Sequence, residues 1–118
     1  MTREEILAME PGRELDVLVE KYVFGNQISW MQDEYSDPVP VAGVHGYIID
    51  HYSTDISAAW EVVEKLQESH LYTDIRTCAD FYEVWITIHR EGNQTETFAS
   101  PKLPEAICKA ALLAVLEG

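Results

Sequence analysis

Two amphipathic segments constrain the fold of this chain more than any other feature. The first is YSTDISAAWEVVEKL at residues 52–66, and the second is AICKAALLAVLEG at residues 106–118. Each has apolar residues at helical spacing, and each follows residues that are typical of a helix start. The chain between them alternates apolar and polar residues as a strand does. The sequence therefore predicts helices packed on a sheet.

Four helices are predicted from start signals and periodicity. Thr2 and Glu5 have the capping-box spacing, so a short helix begins at residue 3. A longer helix runs from about residue 12 to 24 and ends before Gly25. In the third helix the predicted core face consists of Ile56, Ala59, Trp60, Val63 and Leu66. The fourth runs over residues 103–117, and its predicted core residues are Ile107, Ala110, Ala111, Ala114 and Val115.

Strands are predicted at 44–50, 71–78, 81–89 and 95–99, with a hairpin turn at 91–94. In the strand at 81–89 the core face is predicted to hold Tyr82, Val84, Ile86 and Ile88. Residues 26–44 contain prolines and glycines without a sustained period, which predicts a long loop with room for one short strand. The predicted fold is α+β, a small layered sandwich with a mostly antiparallel sheet of about 3–5 strands and helices packed on it.

Length and composition favour one domain over residues 1–118. The longest apolar run, Ala110 to Leu116, is too short to cross a membrane, which takes about 20 residues. The start of the chain does not resemble a signal peptide, so a cytosolic protein is expected. Cys78 and Cys108 lack metal-type spacing and are predicted to be reduced thiols in the core, with a buried disulfide as the alternative.

The charge is strongly negative. The chain has 21 acidic and 8 basic residues, and no lysine or arginine occurs between Lys21 and Lys65. Seven acidic residues fall in that gap: Asp33, Glu34, Asp37, Asp50, Asp55, Glu61 and Glu64. Such a surface repels phosphate backbones and anionic membranes, so neither nucleic acid nor membrane is expected as a partner. The charge either keeps the protein soluble or attracts a basic protein surface.

Three blocks of the sequence resemble the phage ABA-sandwich domain family, which occurs in bacteriophages and in prophages of Gram-positive bacteria. They are TREEILAMEPGRELDVLV near the start, YSTDISAAWEVVEKL, and AICKAALLAVLEG. The resemblance covers nearly the whole chain in order, except for residues 25–50. It implies a layered sandwich and a phage setting. It carries over no catalytic residues, because the family is named for its architecture.

The residues that could support catalysis do not form a recognisable set. His45, Asp50 and His51 would suit a metal if His89 or a carboxylate joined them, but their spacing matches no zinc motif. Ser53, His51 and Asp55 include the residue types of a catalytic triad, yet triad members come from separate elements rather than from neighbours. Helix capping explains Ser53 and Asp55. We therefore expect no catalytic residues, no metal and no cofactor, and a hydrolase built on His45, Asp50 and His51 is the weakest hypothesis.

Two binding hypotheses stay open for a non-enzymatic phage accessory protein, which is expected to form a homo-oligomer. In the first, the acidic stretch from Trp30 to Tyr52 docks on a basic host protein, using its aromatic residues. In the second, a small nucleotide-like ligand is held at a helix start or a subunit interface. The candidate binding residues for the two hypotheses are Trp30, Tyr35, Tyr47, Tyr52, Ser53, Thr54 and Asp55.

Overall fold

The computed structural model describes residues 2–32, 37–88 and 94–117. These residues form four helices and two three-stranded antiparallel sheets, which confirms the predicted α+β layered fold. The elements in chain order are α1 (Arg3–Ala8), α2 (Arg13–Tyr22), β1 (Ile28–Met31), β2 (Val39–Ala42), β3 (Tyr47–Ile48), α3 (Ile56–Glu68), β4 (Leu71–Thr77), β5 (Tyr82–Ile88), β6 (Gln94–Ser100) and α4 (Leu103–Glu117).

The first two helices begin and end as their local sequence predicts. The Thr2 side chain accepts a hydrogen bond from the Glu5 amide and so caps α1. Helix α2 ends at Tyr22. Gly25 follows with φ +73, a left-handed conformation that glycine adopts without a steric penalty, and the amide of Asn26 then donates to the Glu20 carbonyl at 3.2 Å.

The prediction of a long loop at residues 26–44 is wrong, because this segment contains two paired strands. β1 pairs with β2 in register from Ile28 opposite Ala42 to Met31 opposite Val39. Pro40 lies in the central strand of this sheet and has no amide hydrogen to donate. It is tolerated because β3 pairs only with Val41 and Ala42, so β2 has a single neighbour at Pro40.

The strand predicted at 44–50 is much shorter than expected. Only Tyr47 and Ile48 pair with β2. Residues 43–46 instead form a turn in which Gly43 and Gly46 have φ values of +77 and +68, which side-chain-bearing residues rarely adopt. The glycines therefore determine where the strand begins.

The larger sheet matches its predicted strands. β5 is the central strand, and Trp85, at its midpoint, lies opposite Asp74 of β4 and Thr97 of β6. The predicted core face is confirmed at Val84, Ile86 and Ile88, which are fully buried, while Tyr82 is partly buried. Most of the turn predicted at 91–94 lies outside the described residues.

Helix α3 buries a face that only partly coincides with the predicted one, since Ala59 and Leu66 are buried as predicted and Val63 is partly buried. Ala59, Val62 and Leu66 are buried against β4 and α4. Trp60 and Ile56, both expected in the core, are 49% and 46% exposed. The helix is rotated so that the side with small and branched residues meets its neighbours, and this orientation is set by packing against other elements rather than by the periodicity of the helix itself.

Helix α4 lies at the centre of the molecule. It packs on β5 and β6 on one side and on α1, α2 and α3 on the others. Of its predicted core residues, Ile107, Ala110, Ala111 and Ala114 are buried and Val115 is partly buried. The prediction of a one-sided helix is wrong, because Cys108, Leu112 and Leu113 are buried as well. A helix that is buried on every side and apolar apart from a few residues such as Lys109 is typical of a protein interior.

Lys109 is buried within this central helix and makes several polar contacts. Its Nζ donates to the Leu7 carbonyl at 3.0 Å, lies 3.0 Å from Glu105 Oε2 and lies over the ring of Phe98. Burial alone would raise the pKa of Glu105. Hydrogen bonds from Ser100 and Lys109, together with the positive charge of Lys109, outweigh the effect of burial, so the pKa of Glu105 is lowered. Through these contacts Lys109 connects α4 to Leu7 of α1 and to Phe98 of β6.

The β1–β3 sheet lies at the margin of this body. It meets the core through Ile28, Ala42 and Ile49, and α2 is the helix against which β1 packs. The molecule is elongated, with extents of 49 × 33 × 26 Å. Half of the ten side chains of the small sheet are exposed to solvent, and the three that are buried all belong to β2.

Candidate functional site

The predicted binding residues do not lie together on one surface. Trp30 and Tyr47 are 60% and 66% exposed on the β1–β3 sheet. Tyr52 and Ser53 are buried, whereas Thr54 and Asp55 are exposed near the start of α3. Tyr35 lies outside the described residues. The structure thus separates the aromatic candidates of the small sheet from the candidates at the helix start.

Tyr52 is held inside the protein by two contacts. Its hydroxyl donates to Glu20 Oε1 at 2.8 Å, and its ring stacks on Phe24 with centroids 5.0 Å apart. Burial, together with the adjacent Glu20 carboxylate, raises the pKa of the Tyr52 hydroxyl well above its ordinary value. Asn26 donates to the other oxygen of Glu20 at 2.6 Å. These contacts join α2 to the segment before α3.

Ser53 connects two turns and does not cap α3, contrary to the prediction. Its Oγ accepts a hydrogen bond from the Gly12 amide at 2.8 Å and donates to the Gly12 carbonyl at 3.2 Å. The Ser53 amide donates to Asp16 Oδ1 at 2.7 Å. Asp55 caps α3 as predicted, because its carboxylate accepts a hydrogen bond from the Ser57 amide at 2.9 Å. The polar groups of Ser53 are thus occupied by the fold.

The small sheet exposes several large apolar side chains close together. In addition to Trp30 and Tyr47, Met31, Val44 and Ile48 are 59%, 95% and 80% exposed. The strand register places Trp30 and Tyr47 on one face and Met31 and Ile48 on the other. Clustered exposed apolar residues of this kind mark interaction surfaces in soluble proteins. Met31, Val44 and Ile48 were not predicted as binding residues, although the isoleucine, tryptophan and valines of ISWM and VPVA are residue types enriched in strands.

A groove runs across the outward face of this sheet, with a volume of about 700 Å3. We call it the small-sheet groove; its lining residues are Trp30, Met31, Gln32, Val39, Val41, Gly46 and Ile48. Val41 forms part of its floor and is 3% exposed. A Cβ at Gly46 would lie 3.7 Å from both Met31 Sδ and Val41 Cγ2, so the turn at 43–46 lies against the groove. None of the lining residues is charged.

The segment of chain that carries the groove is acidic in sequence. All three strands of the small sheet fall between Lys21 and Lys65, where the sequence has seven acidic residues and no lysine or arginine. Desolvation, the charge of Asp50 and a hydrogen bond with that residue raise the pKa of Glu61. An apolar groove without charges is thus carried by a segment whose charged side chains are acidic.

The histidine candidates for a metal site do not converge. His45 packs edge-on against Tyr47 with ring centroids 6.0 Å apart, and His51 Nδ1 lies 3.9 Å from Asp16 Oδ2. Within residues 2–32, 37–88 and 94–117, no three His, Cys, Asp or Glu side chains are grouped so that they could hold a metal ion. His89, the fourth candidate, is outside these ranges.

A second cleft, of about 680 Å3, lies at the starts of α3 and α4. Its lining includes Ser53, Thr54 and Ile56 on one side and Lys102, Leu103 and Pro104 on the other. Helix starts present unpaired amides, which favour anionic groups. Because Ser53 is bonded to Gly12, the lining side chains that this cleft offers to an anion are Thr54, Tyr82 and Lys102, whereas Glu10 in the same lining would repel one.

The two cysteines differ in their surroundings. Both are free thiols, so the alternative of a disulfide is wrong. Cys108 is in the core, where burial raises the pKa of its thiol. Cys78 was predicted to be in the core as well, but it follows β4 and is only partly buried, with Sγ 3.9 Å from Glu83 Oε1.

The layered α+β architecture agrees with a comparison against known protein families. The sequence model of the phage ABA sandwich domain family matches residues 6–112 of the 118, and the chain belongs to that family. Searches of curated proteins and of solved structures gave no significant match. Among the described helices, none has the length and apolar character needed to cross a membrane. The family supplies a phage context.

Proposed function

We propose that this protein is a non-enzymatic phage or prophage accessory protein that binds a host protein in the bacterial cytosol. The observation that carries the proposal is the set of five exposed apolar residues on the β1–β3 sheet and its turn at 43–46, which occupy both faces of this small sheet: Trp30, Met31, Val44, Tyr47 and Ile48. A soluble chain loses stability and solubility by leaving such residues in water, so their clustering favours a partner that covers them.

The charge indicates what kind of partner this is. The net charge of −13 and the absence of basic residues between Lys21 and Lys65 favour a basic protein surface and disfavour nucleic acid and anionic membranes. Attraction between the charges accelerates association, while burial of Trp30 and its apolar neighbours supplies much of the affinity. Binding to such a partner weakens as salt is added.

Site-specific photocrosslinking in the bacterial host tests this proposal. A benzophenone amino acid replaces Ile48 in the small sheet, and in a matched protein it replaces Ile56, an exposed residue in the first turn of α3. We expect a discrete host protein to crosslink at position 48 and not at position 56. The captured protein should have a basic surface, and its purified complex should dissociate more readily as salt rises from about 50 mM to about 500 mM.

Two outcomes would contradict the proposal. One is equal crosslinking at positions 48 and 56, which would mean that the small sheet has no particular partner. The other is a specific partner whose affinity does not change with salt, since the acidic charge would then have no role in binding.

The cleft at the starts of α3 and α4 supports a second candidate, the binding of a small anionic ligand such as a nucleotide. Its size and its two helix starts favour this role, although Tyr52 and Ser53 of the predicted site are committed to internal hydrogen bonds. Thermal unfolding with a panel of nucleotides tests it. A ligand at about 100 times its Kd stabilises the protein by about 2.7 kcal/mol, which is an easily measured shift in Tm. An unchanged Tm across the panel rejects this candidate.

A further inference from the structure

We propose that the small-sheet groove receives the apolar side of a basic amphipathic helix. This inference rests on the proposed function and specifies the part of the host protein that is recognised. The occupant is a helical segment with apolar residues on one face and lysine or arginine on the others.

The dimensions of the groove fit one helix. Neighbouring strands lie about 4.8 Å apart, so the distance from β1 to β3 across β2 is roughly 10 Å, close to the diameter of a helix with its side chains. β1 and β2 have four residues each, or about 13 Å of strand, which corresponds to a little more than two helical turns. A helix contacting this length presents apolar residues at i, i+3 or i+4, and i+7.

The lining has the chemistry of helix recognition. Met31, Val39, Val41 and Ile48 provide aliphatic and thioether contacts, and among the described lining residues none is charged. Met31 is unbranched and polarisable, so it adapts to anchors of different shape. Trp30 lies at the border of the groove, and because its side chain is on the other face of the sheet, the floor contacts come from Met31 and its aliphatic neighbours.

The edges of the sheet are less suited to an added strand. β1 has four residues and β3 has two, so an extended peptide would gain few main-chain hydrogen bonds at either edge. The exposed apolar side chains also project from the faces of the sheet, where a strand added at the edge would leave most of them in water.

Charge distinguishes a basic helix from a second copy of this chain. Each copy carries a net charge of −13, and the segment that contains the groove has acidic residues and no lysine or arginine. Pairing two such surfaces brings like charges together, whereas a basic helix neutralises them. The apolar floor and the acidic sequence of the segment that carries it therefore suit the same occupant, and Arg13 of α2, which donates to the Pro38 carbonyl at 3.4 Å, is a basic residue beside the sheet.

Titration calorimetry with designed peptides tests the inference on the full-length protein. The probe is a peptide of about 14 residues, made of leucine and lysine, with leucines spaced to form one helical face. A second peptide has the same composition in strict alternation, which favours a strand. We expect the first peptide to bind with a gain in helical circular dichroism, and the second to bind at least about tenfold more weakly.

Matched variants locate the binding. Ile48→Asp places a charge in the groove, and Ile56→Asp makes the same change at an exposed position in the first turn of α3, where an acidic residue is well tolerated. We expect Ile48→Asp to weaken binding of the helical peptide by about tenfold or more and Ile56→Asp to change it by less than about twofold. If both variants weakened peptide binding equally, the cause would be the added negative charge and not its position in the groove. That result would overturn the inference.

The remaining outcomes separate this inference from the proposed function. A host protein crosslinked at position 48, together with equal binding of both peptides or of neither, rejects the helix and retains the host partner. Absence of both the crosslink and peptide binding rejects both. A protein that sediments as a dimer and becomes a monomer on Ile48→Asp has a second copy in the groove, which also overturns the inference.

Discussion

The hydroxyl of Tyr52 donates to Glu20 Oε1 at 2.8 Å inside the protein. This contact joins the segment before α3 to α2, and the stacking of Tyr52 on Phe24 adds an apolar contact to it. The sequence analysis placed Tyr52 in a ligand site. In the structure its ring and its hydroxyl contact residues of the same chain, which gives Tyr52 a measurable role in stability.

Tyr52→Phe should lower stability without affecting binding. The change keeps the ring on Phe24 but removes the hydrogen bond to a buried carboxylate, at a cost of about 1.5–3 kcal/mol in the free energy of unfolding. Urea denaturation measures the loss, and Tyr47→Phe at an exposed position is the control with little expected change. Loss of partner binding at unchanged stability would instead place Tyr52 in the binding site.

Lys109→Met should be among the more destabilising single substitutions. The variant leaves the Glu105 carboxylate without its buried cation and the Leu7 carbonyl without its donor, so we expect a loss of about 3–5 kcal/mol. The control is Lys65→Met, which breaks the more exposed pair with Glu68 and should cost less than about 1 kcal/mol. Equal losses in urea denaturation for the two variants would show that the Lys109 cluster contributes nothing beyond a surface ion pair.

The thiols should react in two stages. Cys108 is fully buried and its pKa is raised, so its thiolate is scarce and inaccessible in the folded protein. A thiol reagent followed by mass spectrometry should label Cys78 in the native protein and both cysteines in denaturant. A Cys78→Ser variant should then remain unlabelled until it unfolds. Rapid labelling of Cys108 in the native state would mean that α4 opens far more easily than its packing indicates.

Glu61→Gln should stabilise the protein at neutral pH and not in acid. Because the folded protein raises the pKa of Glu61, its contribution to stability is fully present below the unfolded pKa and is lost as pH rises through the folded pKa. Glutamine cannot ionise, so the variant does not lose this stability as pH rises. The gain in the free energy of unfolding at pH 7 should stay below about 1 kcal/mol because the side chain of residue 61 is exposed.

Denaturation of the wild-type protein and of Glu61→Gln at about pH 4 and at pH 7 provides the comparison. Glu68→Gln is the control, because Glu68 lies 3.2 Å from Lys65 and its neutralisation should bring no gain. A gain from Glu61→Gln that is the same at both pH values would assign the effect to packing or helix propensity instead of charge.

Signals that act within one element were sufficient to predict much of the fold. Thr2 and Asp55 accept hydrogen bonds from amides of the next helix, and this depends on residues two or three positions away. The alternation around Val84 and Ile86 predicted both the strand β5 and its buried face. Such features follow from the local geometry of helices and strands.

The candidate site was predictable only in part. Trp30 and Tyr47 were selected as aromatic residues in an acidic stretch, and the structure exposes both. The groove beside them was missed because β1 and β2 are short, contain Pro40, and become a sheet only by pairing with each other. Ser53 was assigned to the wrong partner, since its contact with Gly12 joins residues 41 positions apart.

The sequence by itself determined the α+β class, the caps of α1 and α3, the strands of the larger sheet and the acidic character of the middle of the chain. Each of these depends on the order of neighbouring residues or on the sum of their charges. The tertiary structure alone decided that Trp60 faces water, that α4 is buried on all sides, and that Met31, Val41 and Ile48 line one groove. These depend on which distant surfaces meet, because burial is a property of the contact between elements rather than of any single element.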